Sequence, residues 1–321
     1  VALTRRRIGV VHQDVQFLDH LPVAANVSLP LTVSGRQGDP RDLAVLDANQ
    51  IAAIAARQWA GLTTEQVSVL TTQQVGGLTT AQVVQLTTEQ LRALATDRVA
   101  ALSTEQVTAL GSIQVSALLT TQVAALETAD LAVLSEAQLK AFTAVQVAAM
   151  TTAQLRSLST EQIQTLDSDQ IAALGTHQLN GLAQSHIQAL KSTQIPALAT
   201  ATVAQLSTQQ IAWLDTQQVR ALSAAQVAVL GAQQLPVLST DELAVMPSAA
   251  FAAISTDSLQ ALRTDQFNAL TSTQVRGLTT SQVAAIVTTD LVAIATAALG
   301  GLTSTQMVAL TTDQIRVLTD N

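Results

Sequence analysis

The chain has 321 residues, of which 48% are hydrophobic and only 12% are charged, and its formal net charge is -8. It contains no cysteine, which excludes disulfide scaffolds, cysteine-ligated zinc sites and iron–sulfur clusters. Polar residues interrupt every apolar stretch before it reaches the roughly 18 residues of a membrane-spanning helix. We therefore expect no membrane span.

The first 41 residues carry five arginines and three aspartates, a charge of +2, whereas residues 42–321 have a charge of -10. Within them, RRRIGVVHQDVQFLDHLPVAANVSLPL resembles the Q-loop region of ABC transporter ATP-binding subunits of the bacterial cell-division type. The resemblance implies a strand at residues 8–11, a magnesium-liganding role for Gln13, and a segment at residues 22–31 that leads toward the membrane partner. The chain has no G-x-x-x-x-G-K-[ST] sequence to hold phosphates. We expect residues 1–41 not to form an independent domain, and Gln13 to be inactive.

From residue 42 onward an eight-residue repeat dominates the sequence. An apolar residue recurs every eight positions from Leu46 to Leu318, 35 times in all, and a second apolar residue precedes each one by three positions. The residue before that second position is Gln in 25 of the 35 units. We number the octad T-T-x-Q-[VIL]-x-A-L from 1 to 8. Residues 42–321 are thus predicted to form one repeat domain of about 35 octads.

An eight-residue period restricts the backbone conformation. A continuous α-helix would rotate the apolar pair by about 80° per octad, so a long coiled coil is excluded. A strand remains open, because spacings of three and five put the two apolar residues on opposite faces. Stacked strands with Thr and Gln ladders would then make a β-solenoid.

Three features favour short helices instead. T-x-x-Q has the spacing of a helix capping box. Acidic residues collect at position 3, as at Glu89, and basic residues at position 6, as at Arg92, which matches the helix macrodipole. The remaining residues are mainly good helix formers. We predict an all-α superhelical solenoid of one- to two-turn helices that bend at each Leu-Thr junction, with the β-solenoid as the alternative.

Such short helices are not stable alone, so neighbouring octads must hold each one. Small residues at position 7 would permit their close approach. Pro196 and Pro236, both at position 6, disfavour a long helix and are better tolerated by a short one.

The glutamine column is the polar feature that recurs most often. We expect its amides to cap helices and to bond the backbone along the stack, with a polar binding ridge as the alternative. His177 and His186 are expected to be solvent-facing substitutions, His186 at a glutamine position. No catalytic residue, metal site or cofactor is expected, because no Ser or Thr has a His–Asp constellation. The expected structural ladder comprises Gln66, Gln74, Gln82, Gln90, Gln106, Leu62, Leu70, Leu78, Val67 and Val75.

The octads of residues 42–321 resemble the repeat tracts of large, low-complexity bacterial adhesin-like proteins. The resemblance implies an extended stalk of a surface or secreted protein. Residues 62–70 also resemble the opening helix of TAL-effector DNA-binding repeats, L-T-P-E-Q-V-V-A-I. The 34-residue unit and base-reading loop of that family are absent, and a charge of -10 would repel phosphate. We expect no nucleic-acid partner.

These observations predict a non-enzymatic structural or adhesive spacer. The alternatives are a protein- or peptide-binding solenoid and an inactive remnant or fusion of an ABC transporter subunit. The expected partners are a second copy of the chain, stacked end to end, or a protein or cell surface. The first residues show no signal-peptide pattern, so an extracellular location would follow only from the adhesin-like resemblance.

Overall fold

The computed structural model describes residue 43 and residues 46–319. Gln13 and the ABC-like segment lie outside the described residues. The described residues fall into two compact units that divide between Leu158 and Ser159, inside the repeat array. Each unit is an all-α solenoid of short helices, and neither contains a strand among its described residues. The predicted fold class is confirmed, and the β-solenoid alternative is wrong for this part of the chain.

One short helix occupies every octad from residue 47 onward. The α-helices all begin at position 2 of their octads, and the proline octads have 3-10 helices instead. In chain order the α-helices are Ala48–Ala53, Ala56–Trp59, Thr64–Ser68, Thr72–Gly76, Thr80–Gln85, Thr88–Ala93, Thr96–Val99, Thr104–Ala109, Ser112–Ala117, Thr120–Ala125, Thr128–Ala132, Glu136–Ala141, Ala144–Ala149, Thr152–Ser157, Thr160–Thr165, Ser168–Ala172, Thr176–Asn180, Gln184–Ala189, Thr200–Val203, Thr208–Ile211, Thr216–Ala221, Ala224–Ala228, Thr240–Ala244, Ser248–Ala252, Thr256–Gln260, Thr264–Asn268, Ser272–Gly277, Thr280–Ala285, Thr288–Ala293, Thr296–Leu299, Ser304–Ala309 and Thr312–Thr319.

The helices are short because the residues at positions 8 and 1 are extended. In the octad 151–158, Thr151 precedes the helix with φ -72° and ψ 158°, and Leu158 ends it with φ -66° and ψ 143°. The Thr151 hydroxyl accepts from the Gln154 backbone N–H at 3.2 Å, and Gln154 Oε1 accepts from the Thr151 N–H at 2.8 Å. These reciprocal bonds satisfy donors that a helix start leaves unpaired. The capping box predicted from T-x-x-Q therefore forms.

Proline at position 6 changes the helix type. Ile195–Ala197 and Leu235–Val237 are 3-10 helices, each with a proline as its second residue. Proline has no backbone N–H and therefore cannot donate the hydrogen bond that an α-helix needs at this point. Both octads keep their apolar residues in the core, since Ile195 is 1% exposed and Leu235 is fully buried.

The apolar residues at positions 5 and 8 form the core of each unit and are buried almost throughout. Helices three octads apart pack on each other. In the first unit Thr88–Ala93 packs on Ser112–Ala117, and in the second Thr264–Asn268 packs on Thr288–Ala293. The core is thus built between successive turns, as expected for a solenoid in which each repeat is held by its neighbours.

Position 7 faces position 2 of the octad three places earlier. A Cβ on Gly277 would lie 3.1 Å from Ser248 Cβ, and a Cβ on Gly301 would collide with the Ser272 carbonyl oxygen. Small residues at position 7 therefore permit the close approach of neighbouring turns.

Two adjacent glycines test this contact. Gly301→Ala should lower the free energy of unfolding by about 1–3 kcal/mol, because the new methyl group overpacks a backbone contact. Gly300→Ala should be neutral or should stabilise by up to about 1 kcal/mol, since Gly300 is exposed, has φ -59° and would place its new methyl group in ordinary van der Waals contact. Urea denaturation followed by circular dichroism measures both. Equal effects of the two substitutions would contradict close packing at position 7.

Candidate functional site

The polar feature that recurs through both units is the position-4 glutamine. Gln122 is 1% exposed, and its Oε1 accepts from the Leu119 backbone N–H at 2.8 Å. Its Nε2 donates to the carbonyls of Leu91 and Leu94, at 2.7 Å each. Those carbonyls belong to positions 5 and 8 of the octad four places earlier. One amide thus caps its own helix and bonds the preceding turn of the solenoid.

The same arrangement repeats in each unit, and we call it the glutamine ladder. Its members are the position-4 glutamines whose Nε2 donates to a carbonyl four octads earlier. In the first unit they are Gln74, Gln82, Gln90, Gln106, Gln114, Gln122, Gln138, Gln146 and Gln154. In the second unit they are Gln194, Gln210, Gln218, Gln226, Gln234, Gln266, Gln274, Gln282, Gln306 and Gln314.

The ladder and the core together set the geometry of a turn. An octad with a ladder glutamine bonds through it to the octad four places earlier and packs its helix on the octad three places earlier. Such an octad therefore lies over the junction between the octads three and four places earlier. Within each unit, one turn of the solenoid takes between three and four octads.

The structure places the residues predicted for the structural ladder as follows. Gln74, Gln82, Gln90 and Gln106 all belong to the glutamine ladder. Gln66 is half-buried and caps its helix, with its Oε1 accepting from the Thr63 N–H at 2.9 Å. The residues four octads before Gln66 lie outside the described part of the chain. The apolar residues of the set are at most 5% exposed: Leu62, Leu70, Leu78, Val67 and Val75.

Several octads lack glutamine at position 4 yet keep a donor there. Arg98 Nε donates to the Leu70 carbonyl at 2.5 Å. Thr202 Oγ1 donates to the Leu174 carbonyl at 3.3 Å, and Ser258 Oγ to the Leu230 carbonyl at 3.0 Å. Each acceptor is the position-8 carbonyl four octads earlier. The sequence analysis did not identify these residues, although their shared place at position 4 was the available signal.

His177 is exposed, as expected, but His186 is only 7% exposed, so its predicted solvent-facing position is wrong. Its Nδ1 accepts from the Ala183 N–H at 3.3 Å. The imidazole therefore caps the helix as the glutamine oxygen does in other octads. It is buried because position 4 is buried in most octads.

Two aspartates at position 4 are buried as well. Asp130 is 2% exposed, and its Oδ1 accepts from the Thr104 hydroxyl at 3.0 Å. Asp290 is 7% exposed and accepts from the Thr264 hydroxyl at 2.8 Å. Burial raises the pKa of Asp130 above its ordinary value, and the hydrogen bond from Thr104 opposes this shift. Sequence reasoning did not identify these carboxyl groups.

The exposed acids at position 3 behave differently. The pKa values of Glu89, Glu105 and Glu161 are lowered, first by a hydrogen bond from each residue's own backbone N–H and then by Ser or Thr hydroxyls at the helix start. The same groups that favour a negative charge at a helix start explain why acids collect there. Among the described residues no group of three or more His, Asp or Glu side chains could hold a metal ion. No described helix is long and apolar enough to cross a membrane.

Two adjacent glutamines test the energetic role of the ladder. Gln218 is 1% exposed, with its Oε1 bonded to the Asp215 N–H and its Nε2 to the carbonyls of Ile187 and Leu190. Gln218→Ala should lower the free energy of unfolding by about 2–4 kcal/mol, because it removes these bonds and leaves the buried Leu190 carbonyl without its donor. Chemical denaturation measures the change.

Gln217 is the matched control, because it is exposed and lies beside Gln218 on the same helix. Gln217→Ala should change the stability by less than about 0.5 kcal/mol. If both substitutions cost the same, the ladder does not stabilise the solenoid.

Comparison with protein families identifies one repeat family. The ALTTAQ repeat matches residues 83–121, 123–160, 147–184, 203–240, 211–248, 243–280, 251–288 and 283–320, which together cover more than half of the chain. The letters ALTTAQ correspond to octad positions 7 and 8 followed by positions 1 to 4 of the next octad. Residues 1–41 lie outside the matched ranges, and no curated protein matches the chain. The chain belongs to the ALTTAQ repeat family.

Proposed function

We propose that the array is a non-enzymatic structural spacer within a larger bacterial surface or secreted protein. The glutamine ladder is the observation that carries this proposal. The amide that recurs in most octads is buried and bonded to the backbone of its own array, as Gln122 illustrates. The position-4 glutamines therefore hold octads together and are not available to bind a ligand.

The architecture suits a spacer because its interactions are local. Each octad is stabilised by the octads three and four places before and after it, so octads can be added without a new kind of contact. The length of the array then follows from the number of octads, and the composition of its exposed face can vary. The adhesive role suggested by the resemblance to adhesin-like tracts would belong to a part of the larger protein that the spacer holds away from the surface.

Displaying the chain between a cell-surface anchor and an antibody epitope tests this function. Deletion of residues 239–270, four whole octads, should bring the epitope closer to the membrane, as measured by fluorescence energy transfer from a membrane dye. Replacement of exposed apolar residues by threonine, as in Val145→Thr and Val308→Thr, should leave that distance and cell adhesion unchanged. An unchanged distance after the deletion, or adhesion lost on surface substitution alone, would refute the spacer.

One observation favours peptide binding as a second candidate function. Ile113 is 76% exposed and lines an open pocket of about 430 Å³ with Thr88, Glu89, Arg92 and Ser116. An apolar side chain beside one acid and one base could hold an extended peptide. Screening the chain against a peptide library, in parallel with Ile113→Ser, tests this function: a binder lost in the variant supports it, and a library without binders contradicts it.

A further inference from the structure

Asp130 occupies a place in the solenoid where most other octads have a hydrogen-bond donor. Glutamine, Arg98, Thr202 and Ser258 all donate from position 4 to the position-8 carbonyl four octads earlier. For Asp130 that carbonyl belongs to Leu102, and it accepts no hydrogen bond from the described residues. An ionised carboxylate cannot supply one, since it only accepts.

The second oxygen of Asp130 is also without a partner. Its Oδ1 accepts from Thr104, whereas its Oδ2 is buried and has no hydrogen bond. A short side chain can reach the carbonyl in question, because Ser258 Oγ lies 3.0 Å from the equivalent carbonyl of Leu230. Asp130 Oδ2 and the Leu102 carbonyl are thus two acceptors without donors in one buried part of the first unit.

We propose that Asp130 is a proton-controlled link between successive turns of the solenoid. When the carboxyl group is protonated, its Oδ2–H donates to the Leu102 carbonyl and restores the bond that glutamine makes elsewhere. When it is ionised, that bond is absent, and a charge is buried beside an acceptor. The octads 95–102 and 127–134 are then held together less tightly. The link goes beyond the proposed spacer function and does not depend on it.

The surrounding charges do not replace the missing donor. Arg98, the one base of the bonded octad 95–102, donates to the Leu70 carbonyl and pairs with Asp97. The Glu127 carboxylate, at the start of Asp130's own octad, disfavours the ionised form, whereas the hydrogen bond from the Glu127 backbone favours it. Other ionisable groups lie on this octad, on its chain neighbours, and on the first-unit octads that pack on it or bond to it. They are Glu127, Asp97, Arg98, Glu105, Glu136, Lys140 and Arg156.

The direction of the pH effect follows from burial. Because the pKa of Asp130 is raised in the folded state, the folded chain holds the proton to higher pH than the unfolded chain. The contribution to stability is therefore fully present below the ordinary aspartate pKa and is lost as the pH rises through the folded value.

Hydrogen exchange of the full chain at pH 3.5 and pH 7, corrected for intrinsic rates, tests the link. Protection of residues 95–110 and 127–134 in the wild type should fall at least tenfold between the two pH values, measured relative to Asp130→Asn. Asp130→Asn has a donor at both pH values, so it should show no such fall and should be more protected than the wild type at pH 7. Asp130→Gln, which restores the consensus residue, should behave in the same way.

Asp130→Ala separates the missing donor from the cost of a buried charge. It removes both the charge and the donor, so its protection should be independent of pH and lower than that of Asp130→Asn at both pH values. The control Asp169→Asn removes an exposed acid and should keep the wild-type pH dependence. Protection in Asp130→Ala equal to that in Asp130→Asn, or an Asn variant with the wild-type pH dependence, would overturn the proposal.

Discussion

The solenoid depends on finding donors for the backbone carbonyls at the end of each short helix. A helix leaves its last carbonyls without intrahelical partners, and here a helix ends in every octad. These ends lie in the core of the array, where an unpaired carbonyl is costly. The glutamine amide four octads later supplies the donor, and its oxygen meanwhile pairs with an N–H at the start of its own helix. One side chain thus satisfies backbone groups at two helix ends on adjacent turns.

This constraint explains the regularity of the sequence. A glutamine reaches the carbonyls 28 and 31 residues before it, as Gln218 reaches Leu190 and Ile187. An inserted residue would move the amide away from both acceptors in every octad whose ladder bond spans the insertion. The absence of insertions over 35 octads is therefore what such a ladder requires. Arg98, Thr202 and Ser258 replace the glutamine at position 4 by another donor. Ala250 and Ala298 are buried at the same position without a side-chain donor, so single octads tolerate its loss.

The sequence predicted the contacts within one octad but not the contacts between octads that are distant along the chain. T-x-x-Q predicted the capping box, and the order of acids and bases within an octad predicted helices over strands, because both signals act within one helix. The period of eight says nothing about how many octads make a turn, so the acceptors of the Gln122 amide could not be named. For the same reason His186 was expected to face solvent: its burial comes from its position on the ladder. Asp130 was missed because its burial depends on octads that are distant in sequence.

The number of octads per turn can be measured directly, because the chain has no native cysteine. Ser248 faces Gly277, three octads later, with 3.1 Å between the Ser248 Cβ and a Cβ placed on Gly277. Disulfides need Cβ atoms about 3.5–4.5 Å apart, so small adjustments would allow a bridge. Three double variants place one cysteine at Ser248 and the other at Ala269, Gly277 or Ala285, the position-7 residues two, three and four octads later. Under mild oxidation, Ser248→Cys with Gly277→Cys should crosslink fastest by a wide margin. Faster crosslinking of either other pair would contradict the packing of each octad on the octad three places earlier, on which the deduced length of a turn depends.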